Sequence, residues 1–121
     1  MSNLNTAAGN FKYNPNAESD KEKNRQQEYA SATQKMSRIN NQIRQNEKQI
    51  DSLTKQLETQ QNAIKKMNAA ARAGQVGAEK QAQNLTAAYD SILNSINDLE
   101  KQNKQLSTQK KNLSDYRDSL K

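Results

Sequence analysis

Stepping from Tyr29 by alternate threes and fours lands on Ala32, Met36, Ile39, Ile43, Asn46, Ile50, Leu53, Leu57, Gln60, Ile64, Met67 and Ala71. This is an a/d heptad pattern interrupted only by the polar Asn46 and Gln60, and it predicts a long helix with one narrow apolar stripe. A second stretch behaves alike: Leu85, Ile92, Leu99, Leu106, Leu113 and Leu120 recur at every seventh position. Its companion column is Tyr89, Ile96, Asn103, Lys110 and Arg117, apolar at first and polar toward the C-terminus. Both stretches read as coiled-coil strands, the second with a partly eroded seam.

Between them lies AAARAGQVGAEKQA, with the glycines Gly74 and Gly77. The heptad column runs unbroken through Ala71, Ala78 and Leu85, as one continuous rod would require. Against a rod, the companion column changes side across the glycines, and two glycines cost a continuous helix roughly 1 kcal/mol each relative to alanine. Gly74 after the basic Arg72 suits a left-handed helix stop, and Gly77 ahead of Glu79 suits a helix start with an acid in its first turn.

The stretches on either side have equal length, so a fold at the glycines makes two arms of ~65 Å each. The expected fold is therefore all-α: an antiparallel two-helix coiled-coil hairpin with its turn near 74–77. The alternative is one long parallel coiled-coil rod. Folding at the middle of the turn sets Leu53 against Leu99, Ile39 against Leu113, Met36 against Tyr116 and Ala32 against Leu120, with Asn46 within about a turn of Asn103. The expected organisation is an arm over 1–18, a helix over 19–73, the turn over 74–77 and a helix over 78–121.

The arm, MSNLNTAAGNFKYNPNAE, has no heptad; its Leu4, Phe11, Tyr13 and Pro15 are isolated apolar hooks. Ser19 to Glu22 is a capping-box pattern that starts the first helix, although Asn14 followed by Pro15 at the first helical position serves nearly as well. Such a composition is disordered in an isolated chain and orders only against a partner. Leu4, Phe11, Tyr13 and Pro15 are therefore expected to be partner anchors, the plainer reading being a loose terminus.

Composition removes most other classes. Hydrophobic residues are 31% and aromatics 4%, too little to fill a globular core. Cysteine and histidine are both absent, which takes away thiolate and imidazole metal sites and the usual nucleophile and base pairs. GQVG lacks the lysine and hydroxyl that follow a phosphate loop, and carboxylates are scattered along helix faces. No enzyme, cofactor, metal site or small-molecule substrate is expected. Neither a secretory leader nor an apolar run of membrane-spanning length (~20 residues) is visible, so the expectation is a cytoplasmic chain without membrane insertion.

The net charge is +6, concentrated where Lys101, Lys104, Lys110 and Lys111 come with no acid between them. In a hairpin these lie alongside Arg38, Arg44 and Lys48, with Glu47 as the local acid, and make a candidate contact for phosphate backbone without base reading. A solvated face that keeps the rod soluble is the favoured reading.

Three roles fit. The first is a non-enzymatic structural or assembly protein, a helical hairpin used as a homo-oligomeric subunit of a large complex such as a bacteriophage virion, whether capsid-associated, scaffolding or internal to the head. Its location is then the cytoplasm and finally the virion. The second is a coiled-coil adaptor or chaperone of a secretion or export machine. The third is a basic coiled-coil protein that coats nucleic acid.

Overall fold

The computed structural model of the protein describes residues 15–121, with side-chain surroundings from Ser19 onward. Two long helices make up this part: α1, Pro15–Arg72, with 58 residues, and α2, Ala78–Ser119, with 42. They pack against each other, and no strand occurs among the described residues. α1 starts at Pro15, which has no amide proton to satisfy and whose ring presets a helical φ. The capping box at Ser19 is therefore not the start, and residues 15–18, expected in the arm, form the first turn of α1. Leu4, Phe11 and Tyr13 lie outside the described residues.

The glycines stop the helix. Gly74 has φ 87°. Its amide donates to the Ala71 carbonyl at 3.0 Å, while the Gln75 amide donates to the Ala70 carbonyl at 2.9 Å. These bonds satisfy carbonyls that the helix end would otherwise orphan, the Schellman arrangement. Gly77, φ 81°, is the N-cap of α2 without a side-chain cap, and Glu79 places an acid in the first turn. A β-carbon on either glycine would meet nothing within 4 Å, so glycine is required there by backbone conformation alone. With the helix interrupted twice by left-handed backbone, the chain is not the uninterrupted rod of the alternative reading.

Every a/d position of α1 from Tyr29 to Ala71 is buried or half-buried, and so is every position of the two α2 columns from Leu85 to Leu120. The buried apolar side chains are small or central: Ala32, Ala78, Ala82 and Ile96. The reason is geometric. Two helices touching along a line close completely over alanine, whereas larger leucines and isoleucines keep an edge in water. Thr33, Thr54, Thr59, Thr86 and Thr108 turn their hydroxyls back onto the carbonyl four residues earlier, satisfying the hydroxyl within the helix.

Candidate functional site

The most enclosed large side chain is polar. Asn46 is 1% exposed, and its amide nitrogen donates to Asn103 Oδ1 at 2.8 Å and to Gln102 Oε1 at 3.5 Å. Its own Oδ1 accepts from Gln42 Nε2 at 3.0 Å. Both donor hydrogens and the acceptor of this buried amide are thus used, which removes the cost of burying it. An amide pair of this kind favours one register, because sliding by a heptad in either direction sets Asn103 against Ile39 or Leu53.

Moving outward from Asn46 and Asn103 in equal steps sets Ile50 opposite Leu99, Leu53 opposite Ile96, Gln60 opposite Tyr89 and Ala71 opposite Ala78. Toward the other end Ile39 faces Lys110, Met36 faces Leu113 and Tyr29 faces Leu120. In this register every seam position of one helix meets a seam position of the other. The pairings expected from the middle of the turn, Met36 with Tyr116 and Ala32 with Leu120, are displaced by most of a helical turn. That register would have pushed Tyr116, which is 44% exposed, into the seam. Leu53 and Leu99 remain close enough to line one shallow groove.

Where the seam reaches Tyr29 its chemistry changes. The Arg117 guanidinium lies 5.4 Å from the Tyr29 ring centroid and donates to Thr33 Oγ1 at 3.4 Å. Arg117 thus covers an aromatic face in place of an apolar residue, with a cation–π attraction added. Its Nε is buried without a partner, as is Gln60 Oε1. Beside it the Tyr116 hydroxyl donates to Glu28 Oε2 at 2.9 Å, and that hydrogen bond, with the carboxylate charge, raises the phenol's pKa. Ahead of Tyr29 the seam phase falls on Arg25 and Glu22, which pair with each other along α1. The apolar stripe ends there.

The sequence indicated Tyr29 as the start of the seam and set Tyr116 against Met36, but gave neither the Glu28–Tyr116 nor the Arg117–Tyr29 contact. The available signal was the arginine at an a/d position within reach of the only aromatic residue at the start of the stripe.

Arg38, Arg44, Lys48, Lys101, Lys104 and Lys111 are all exposed, while Lys110 is half-buried in the seam. At ~100° per residue Lys48 and Lys101 fall on the outer backs of α1 and α2, and Arg44, Lys104 and Lys111 along one edge of the pair; Arg38 falls toward the other edge. The structure thus brings together three of the seven. Glu47 and Glu100 line the same groove as Lys104, so a second acid, Glu100, joins Glu47 beside the basic stretch. Among the described residues the ion pairs are Arg25–Glu22 and Lys121–Asp118, neither involving these cations.

Two apolar features lie near the turn. Val76, at its tip, is 97% exposed, and Ala63, Met67 and Leu85 form the apolar floor of a groove edged by Lys66, Gln81 and Asn84. Leu93 is partly exposed midway along α2. The grooves over Leu53 and Leu99, over Ala63, Met67 and Leu85, and over Ile43 and Asn103 follow the seam and are open to solvent. No cluster of His, Cys, Asp and Glu able to hold a metal ion, and no helix long and apolar enough to cross a membrane, occurs among the described residues. Comparison with protein-family models, with curated proteins and with solved structures finds no match to the chain.

Proposed function

We propose that this chain is a non-enzymatic structural subunit, an antiparallel coiled-coil hairpin that serves as a stiff arm in a large assembly such as a bacteriophage virion. The observation that carries the reading is the buried Asn46–Asn103 pair inside a seam whose layers match from Tyr29 to Ala71. A chain that commits its few large apolar residues to one line of contact gains length and stiffness.

Attachment falls to the end remote from the turn. From Pro15 to Glu28 α1 is polar on all sides, and a helix of that kind is held by side-chain pairs along itself, as between Glu22 and Arg25 here, or by bridging to another body, the role proposed for it. With Leu4, Phe11 and Tyr13 ahead of it and Pro15 at its start, this end forms the proposed anchor. Leu93 on one edge of the pair and the groove over Ala63, Met67 and Leu85 on the other offer further contacts through which hairpins associate with one another. The nucleic-acid-coating role draws less support, because the seven cations are spread over several faces and Glu47 and Glu100 stand beside Lys104. An adaptor that opens to admit a helix of another protein draws less still, since opening breaks every matched layer and an unrelated helix brings no counterpart of Asn103 to restore them.

The test is native mass spectrometry of the particle that contains this chain, with and without residues 1–14. Many copies per particle, lost on truncation while the helices persist, is the expected result. A chain found only free or in transient complexes contradicts it.

A further inference from the structure

The register that pairs α1 with α2 has a symmetry that one hairpin does not use. Asn46 pairs with Asn103, Tyr29 faces Leu120 and Ala71 faces Ala78, all about one midpoint between Gly74 and Gln75. If the connection became helical, Ala71 and Ala78, seven residues apart, would lie in one heptad column. Two such chains laid antiparallel would then reproduce every layer, Asn46 of one copy on Asn103 of the other and the reverse, with the change of companion column across the glycines taken up as a four-residue stutter that locally unwinds the pair. Gly74 would take the vacant seam position between Ala71 and Ala78 and oppose Gln75 of the second copy. The surrounding Ala69, Ala70 and Ala73 are small enough for two helices to cross there.

We propose that a second copy of this chain is a partner the seam is built to accept, by exchange of α2 arms into an extended antiparallel dimer, and that Gly74 and Gly77 hold the closed form. The lock is conformational. Both glycines have positive φ, 87° and 81°, which L-residues with a β-carbon rarely adopt, and neither has a neighbouring atom that a β-carbon would strike. Alanine at both positions would penalise the turn and favour the helix without disturbing packing, the condition under which hinge variants swap. The inference depends on the seam register and not on any role in an assembly.

The test is a Gly74→Ala/Gly77→Ala variant with spin labels on cysteines at Lys55 and Asn94, two exposed residues at the same level of the two helices. Outside its assembly the parent chain should run as one chain and show a separation of about 20 Å that survives dilution with unlabelled chain. The variant should run as two chains, and refolding it with excess unlabelled chain should replace the short distance with one of about 60 Å, the span of a continuous helix. A companion variant with two further glycines inserted after Gln75 should remain a single chain, because it cannot carry the helix through. The proposal is overturned by a double-alanine variant that stays a single chain, that doubles in mass while keeping the short distance on dilution, or that unfolds.

Discussion

Asn46 and Asn103 meet side chain to side chain across the two helices at 2.8 Å, in a seam otherwise lined mainly by aliphatic residues. This pair sets how far one helix is slid along the other. Asn46→Ala leaves the Asn103 carbonyl and the Gln42 amide short of a partner, and should lower stability by about 1–3 kcal/mol in thermal or urea unfolding. Replacing both asparagines with leucine should instead raise stability and loosen register, seen as additional cross-link products between neighbouring levels of α1 and α2.

The free-end cluster responds to alkali. The Tyr116 hydroxyl is held by the Glu28 carboxylate, so its pKa is raised and the folded chain keeps that proton longer than the unfolded chain does. The stabilisation is complete below the ordinary phenol pKa of about 10 and is lost as the pH climbs through the raised folded value. The difference in tyrosinate absorbance between the parent chain and Tyr116→Phe should place Tyr116 above an ordinary phenol, and Glu28→Gln should bring it down.

Lys110 faces Ile39 in the seam, whereas Lys101, Lys104 and Lys111 are exposed. Changing all four to glutamine should leave the helices intact and slightly more stable, because only the half-buried lysine carries a desolvation cost. Duplex DNA binding by the parent chain should already be weak at ~150 mM salt. A chain built to coat nucleic acid would bind tightly there, and the fourfold variant would lose up to ~3–4 units from its log–log salt slope.

The two apolar columns were readable from spacing alone, since burial follows the steps of three and four from Tyr29 to Ala71 and from Leu85 to Leu120. Gly74 was readable as a helix stop because a glycine two residues after the basic Arg72 and ahead of a second glycine suits the left-handed backbone that ends a helix, and its φ is positive. Register was harder. Columns that repeat every seven residues nearly match at several offsets, and the middle of the turn is a poor guide because Gly74 and Gly77 close the two helix ends differently. Asn46 and Asn103 carried the missing information, which requires a direct contact rather than a separation of about a turn. The start at Pro15 was obscured by two competing caps, and the Arg117–Tyr29 contact by the low apolarity of an arginine whose stem nonetheless packs.

The most direct test of the account is the distance between spin labels on cysteines at Ser37 and Asn112, exposed positions at one level near the end remote from the turn. Pulsed dipolar spectroscopy on the parent chain, diluted with unlabelled chain so that only intrachain pairs report, should give a single narrow distance of about 20 Å. An uninterrupted helix would place the same two labels more than ~100 Å apart, and loss of the short distance on dilution would contradict the fold-back on which the account rests.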